Sequence, residues 1–253
     1  KELGAWQLIE PSEITPLHQA TVINGNSLNP VIFKSQNQST RDIGVMVSNH
    51  IIRQALWNKA TKSANIKLLP NTSAIDCTTS QASAQVVLDS GETFHADLLL
   101  GADARFSKSR KIMGISFDKV DYKKVMLVCR MKCGHGPSNI AYEIFDYSQT
   151  LALLPSSGNT GSCVVTLRVD EVDHLMALPK ATFEHEMERR FGGRFGRMEL
   201  ISERFFYPLV GTYARRFIKP RFALVGDAAV GMHPVTAHGF NLGMSSIQTL
   251  AKH

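Results

Sequence analysis

Phe222, Ala223, Leu224 and Val225 form an unbroken apolar run, the pattern of a strand buried on both faces. Gly226 and Asp227 end it. Pro234 and Gly239 punctuate the next loop, and from Asn241 onward Leu242, Ile247, Leu250 and Ala251 suit a helix. Upstream, the pattern predicts a strand at 31–33 after the turn signal Asn24-Gly25-Asn26. It predicts a helix over 47–59, with Ser48 or Asn49 as cap and Ile52, Leu56 and Trp57 as its apolar face. Residues 66–69 read as a strand. Residues 85–88 and 93–96 read as a hairpin about Asp89-Ser90-Gly91-Glu92, and 97–100 as a further buried strand. From 118 to 206 the pattern changes. Runs at 125–131, 140–145, 150–154 and 162–168 alternate with turns at Gly134, Gly136, Pro137, Gly158 and Gly161, which predicts an antiparallel sheet. Phe183, Met187 and Phe191 recur at four-residue spacing on a helix. Glu184 and Glu186 come early in it and Arg189 and Arg190 late, which complements the helix dipole.

Composition narrows the picture little. The chain has 253 residues, 43% hydrophobic and 20% charged, enough for one large or two smaller domains. Its net charge of +6 is spread along the chain with no nucleic-acid motif, so nucleic acid is not an expected partner. The basic run Arg215, Arg216, Lys219, Arg221 reads as a solvated loop. Cys77, Cys129, Cys133 and Cys163 show no C-x-x-C spacing, which suits free buried thiols in a reducing compartment. No apolar run approaches the length of a membrane span, so any membrane contact is expected to be peripheral.

The chemistry implied is that of a cofactor. No nucleophile–base pair with a recognisable elbow and no metal cluster stands in the sequence; His233 and His238 flank the loop singly. An acidic residue just past the carboxyl end of a buried strand, facing a helix N-terminus, can hold a polyol with its carboxylate and an anionic ring edge with the helix end.

Gly226-Asp227-Ala228-Ala229, Pro234 and Gly239-Phe240-Asn241-Leu242-Gly243 resemble the second flavin-binding motif of the class A flavoprotein monooxygenases, the p-hydroxybenzoate hydroxylase type. The branch that hydroxylates ubiquinone precursors is the most similar. By that resemblance Asp227, beside Gly226, would hydrogen-bond the ribityl chain of FAD. Pro234 would sit beside the isoalloxazine ring, and the backbone from His238 through Gly239 and Phe240 to Asn241 would meet its pyrimidine end. Residues 101–110, Gly-Ala-Asp-Ala-Arg-Phe-Ser-Lys-Ser-Arg, resemble the family's G-A-D-G-x-x-S-x-x-R fingerprint. There Asp103 would cap a helix and meet the cofactor, and Arg110 would pair with a phosphate. Near the start of the 47–59 helix, Asn49, with Arg53 as alternative, would face the flavin. Leu154, Pro155 and Pro208 fall where family members line the substrate pocket. Val230, His238, Ser246 and Ala104 depart from the commonest family residues.

The resemblance implies an α/β fold. A Rossmann-like FAD-binding domain would comprise 1–117 and 207–253, with an antiparallel-sheet substrate domain at 118–206. The family opens with G-x-G-x-x-G, which is absent here, so the sequence reads as incomplete at both ends and is expected to bind FAD poorly by itself. The implied activity is that of an oxidoreductase. NADH or NADPH reduces FAD, and one atom of O2 is inserted into the aromatic ring of a polyprenylated ubiquinone precursor. The setting would be the cytoplasm, with peripheral membrane contact and membership of a biosynthetic complex as further expectations. Two alternatives stand beside this: a flavin-dependent reductase of prenyl lipids, and a non-catalytic flavin-fold scaffold or lipid-binding subunit.

Overall fold

The computed structural model describes residues 3–25, 27, 29–36, 42–234 and 238–252. Asn26 of the expected turn lies outside the described residues. The chain divides into two units, Lys1–Leu68 with Lys123–Pro208, and Leu69–Tyr122 with Leu209–His253.

The first unit is built on a sheet. Its strands run in the order Phe117–Cys133, Thr160–Arg168, Thr150–Pro155, Ile140–Phe145, Gln19–Asn24 and Val31–Lys34, and Met198–Leu200 also pairs with the first. Neighbours among the first four pair antiparallel, and short turns join Ile140–Phe145 to Thr150–Pro155 and that strand to Thr160–Arg168. Gln19–Asn24 then joins Ile140–Phe145 in parallel, Gln19 opposite Ile140 through Asn24 opposite Phe145. Because of that pairing, residues up to 68 divide with the sheet, whereas the sequence grouped them with 207–253.

One face of this sheet carries the core. Val125, Leu127, Cys129, Met131, Leu151, Leu153, Cys163, Val165 and Leu167 alternate inward with period two. They pack on Phe183 and Met187 of the expected helix, found at Lys180–Arg190, on Phe191 at its C-cap, and on Val172 and Leu175 of a second helix, Val169–Ala177. The second helix was not anticipated, although it carries a local start signal: the Glu171 carboxylate accepts the Arg168 N–H at 3.2 Å. All four cysteines are buried and free, and burial pushes the Cys133 thiol up to about 11. The expected helix at 47–59 is Asn49–Thr61, with Ser48 as N-cap but without a side-chain cap bond. Its intended apolar face is only lightly used: Ala55 is buried while Trp57 is exposed.

The second unit holds two small sheets. Phe222–Leu224, wholly buried, lies between Ile218–Lys219 and Leu99–Gly101, pairing parallel with the latter. The strand expected at 97–100 therefore starts two residues later, and Leu98 and Leu100 are exposed because the strand lies at the sheet edge. The hairpin appears as Ala84–Leu88 and Thr93–Ala96. Its third strand is Ala74–Thr79, while 66–69 forms no strand. Ile66 and Leu69 are exposed and run into Pro70, which has no N–H to give a ladder. The basic run is not merely solvated. The Arg215 guanidinium meets Asp118 at 2.8 Å, Lys219 donates to the Met113 carbonyl, and Arg221 donates to the carbonyls of Gln81 (2.7 Å) and Asp97 (3.0 Å). No described helix is long and apolar enough to cross a membrane.

Candidate functional site

The buried strand Phe222–Leu224 delivers the chain to Gly226, whose φ of +57° suits glycine and turns the backbone into a short 3-10 segment, Gly226–Ala228. That turn brings Asp227 opposite the helix Gly239–Leu250, which begins two residues before the start expected from apolar spacing. Asp227 splits its carboxylate. Oδ2 accepts from the Arg105 guanidinium at 3.3 Å, and Oδ1 points toward the helix start, 3.8 Å from where a Cβ on Gly239 would lie. His238 offers no side-chain cap, and the first bond of the helix is Leu242 N–H to His238 O at 2.9 Å. The N–H groups of Gly239, Phe240 and Asn241 precede that bond and, as at any helix start, have no acceptor within the helix. Pro234, Phe240 and Asn241 are exposed beside them. A carboxylate oxygen and three aligned N–H groups, separated by a cradle that a side chain at 239 would fill, fit the polyol chain and electron-rich ring edge of a flavin.

The second motif sits at the end of Leu99–Gly101. Ser107 caps the helix Lys108–Ile112 by accepting the Arg110 N–H at 2.9 Å. Asp103 supports that cap. Its Oδ1 accepts from the hydroxyls of Ser107 (2.6 Å) and Ser109 (2.8 Å), and its Oδ2 accepts the Ser109 N–H (2.8 Å). Burial opposes ionisation of Asp103, but these bonds outweigh it and hold the carboxyl below its usual range. Asp103 also helps to line a cavity of about 300 Å³ with Cys77, Val86, Leu99, Ala102 and Lys108.

Arg110 departs from its expected role. It is 1% exposed, and its guanidinium donates to the carbonyls of Ala228 (2.7 Å) and Arg105 (3.0 Å) while stacking on Phe117 at 4.0 Å. An arginine so enclosed is a tie between the two motifs; it presents no open fork to a phosphate. Arg105, which the fingerprint leaves as a variable position, donates to Val210 O (2.8 Å), Met232 O (3.1 Å) and Asp227.

Ala104 stands at φ +71°, in the left-handed region. A Cβ there costs about 1–2 kcal/mol, partly offset by the greater freedom glycine has when unfolded. Ala104→Gly is expected to stabilise the chain by about 0.5–1 kcal/mol, read as a higher urea midpoint with an unchanged slope. An unchanged or lower midpoint contradicts the strain.

In the sheet unit, Asn49 is the exposed first residue of its helix, and Arg53 lies exposed one turn on. Leu154 and Pro155 are consecutive in one strand, so they leave opposite faces. Leu154 shares the face away from the helices, while Pro155 follows Leu151 and Leu153 onto the core side. Pro208 is exposed in Phe205–Ala214. With Leu154 on the outer face stands a residue the sequence did not single out. Glu143 lies opposite Ala152 on one side and Val22 on the other. Burial among these small and apolar neighbours raises its carboxyl to about 7.

That placement carries a sign. Between pH 4.5 and 7 the unfolded chain releases the Glu143 proton while the folded chain keeps it, so stability falls as pH rises across this window. Glu143→Gln, neutral throughout, is expected to match the parent's melting temperature at pH 4 and exceed it at pH 8. Equal melting temperatures at pH 8 contradict the raised carboxyl.

Residues 29–253 match the FAD binding domain family. Ubiquinone hydroxylase UbiM of Neisseria meningitidis is 42% identical over the whole of this chain and 56% of its own length. Ubiquinone hydroxylase UbiL of Rhodospirillum rubrum is 34% identical over 99% of this chain and 58% of its own. The chain thus spans little more than half the length of these relatives. Among solved structures, that of PqsL from Pseudomonas aeruginosa in complex with 2-aminobenzoylacetate superposes with a TM-score of 0.80 at 18% identity, over 98% of this chain and 70% of the other, a likeness of fold.

Proposed function

This chain belongs to the FAD binding domain family, and on that premise we propose that it forms part of an FAD-dependent monooxygenase that hydroxylates the aromatic ring of a polyprenylated ubiquinone precursor. The observation that carries the reading is the pairing of Asp227 Oδ1 with the uncapped start of Gly239–Leu250, in a chain whose relatives are named ubiquinone hydroxylases. Bound FAD, reduced by NADH or NADPH, supplies the means of activating O2 and transferring one oxygen atom.

The protein's part is orientation and electrostatics. Asp227 accepts a hydrogen bond from a ribityl hydroxyl. The N–H groups of Gly239, Phe240 and Asn241, with the positive end of their helix, stabilise negative charge on the pyrimidine edge. Gly226 keeps the backbone turned so that Asp227 reaches the site, and Pro234 lies beside the ring. Asp103, held ionised by Ser107 and Ser109, contributes a fixed acceptor near the cofactor. Asn49 is assigned as a polar contact to the flavin. Leu154 and Pro208 contribute apolar surface to the substrate site, whose dryness limits loss of activated oxygen to water. Arg110 is assigned to holding the motifs together and Pro155 to the core.

Turnover of the full-length protein with NADH or NADPH and a prenylated phenol under ¹⁸O2 tests this. One ¹⁸O atom in the ring of the product is the expected result. A saturated prenyl product without oxygen uptake makes the protein a reductase. FAD binding absent along with turnover makes it a scaffold subunit. Where the reaction runs, sedimentation with liposomes tests the expected peripheral membrane contact.

A further inference from the structure

We propose that Arg105 is a positioning residue that presents Asp227 to the flavin and sets the flavin's reduction potential, an inference that rests on the FAD reading of this site. Four observations carry it. Arg105 divides the Asp227 carboxylate, taking Oδ2 and leaving Oδ1 toward the helix start. Its other bonds, to Val210 O and Met232 O, fasten it to strand Phe205–Ala214 and to the loop that leads to Pro234, so the aspartate is aimed from a fixed base. Arg105 is itself fixed from behind, since its carbonyl accepts from the buried Arg110 guanidinium. And the backbone beside it is kept bare. A Cβ on Gly231 would stand 2.6 Å from Arg105 Nε and 2.7 Å from Thr212 Oγ1, closer than real Cβ atoms approach. A side chain at 231 therefore displaces Arg105.

The consequence is electrostatic. Asp227 alone would set a full negative charge beside a ring that gains negative charge on reduction, and like charges disfavour that state. Arg105, at 3.3 Å and partly buried, offsets the carboxylate while leaving one of its oxygens able to accept from the ribityl chain. Loss of Arg105 thus weakens both redox states of FAD, through misplacement of Asp227, and weakens the reduced state more, through loss of the compensating cation.

The test uses the full-length protein, stripped of FAD and reloaded. Arg105→Met keeps the bulk and removes the charge. It is expected to weaken binding of oxidised FAD about tenfold and reduced FAD about tenfold further, which lowers the two-electron midpoint potential by about 30 mV. Arg105→Lys returns the charge without the fork, so the potential is expected to recover while the affinity stays below the parent's. Gly231→Ala, which changes no charge, is expected to weaken oxidised FAD and to shift the potential less than Arg105→Met does. Melting temperatures of the apoproteins separate a fold defect from these effects; if Arg105→Met does not fold, Gly231→Ala and Arg105→Lys decide. FAD binding by the parent, with every variant that folds within twofold of it in affinity and unshifted in potential, overturns the role of Arg105. A parent that takes up no FAD overturns the reading of the site itself.

Discussion

Arg110→Ala is expected to destabilise the chain by about 3 kcal/mol, lowering the melting temperature by about 6–12 °C. Three losses add. The carbonyls of Ala228 and Arg105 lose their donors, at about 1–3 kcal/mol for each left buried and unpaired. The face of Phe117 loses the guanidinium stacked on it. And a side chain that is 1% exposed leaves a cavity. Relief from burying a cation returns part of this, since burial disfavours the charged guanidinium. Arg110→Met fills most of the space but supplies no donors, so it should fall between the parent and alanine. Chemical denaturation of the three proteins decides the matter. An alanine variant within about 0.5 kcal/mol of the parent, the range of ordinary surface substitutions, contradicts a buried tie.

FAD is expected to bind Asp227→Ala about 30-fold more weakly than the parent, in the full-length protein. A hydrogen bond to a charged group is worth about 1.5–3 kcal/mol net, and tenfold in affinity is about 1.4 kcal/mol. The substitution also removes the only ion-pair partner of Arg105 among the described residues. Asp227→Asn keeps an acceptor oxygen but no charge, so a smaller loss is expected. Fluorescence titration of the apoproteins measures all three. Binding within twofold of the parent by the alanine variant removes Asp227 from the cofactor site. Oxidised FAD titrates the hydrogen bond directly, which keeps this prediction separate from the potential measured for Arg105.

Much of the framework was legible because it is local. Phe222–Leu224 announced itself by an unbroken apolar run, and Ile140–Phe145 fell at its predicted bounds because turn residues bracket it. The stripe Phe183, Met187, Phe191 predicted a buried helix face, and all three residues are in the core. Helix Val169–Ala177 was missed because its Val and Leu follow a strand without a Gly or Pro between them. The run at 66–69 misled because apolar residues alone do not make a strand; a ladder partner does.

The candidate site divided along the same line. The sequence alone determined the strand, the carboxylate that ends it and the helix that follows, though not that helix's first residue, since these elements are consecutive along the chain. It did not determine what Arg105 and Arg110 do. Arg105 finds Asp227 across 122 residues and Met232 across 127, and Arg110 finds Ala228 across 118. Nor did it determine that Leu154 and Pro155 part to opposite faces, or that Glu143 is half-buried, which depend on register and on which face the helices cover. A long side chain is chosen for the groups that packing brings within its reach, and only the tertiary structure says which groups those are.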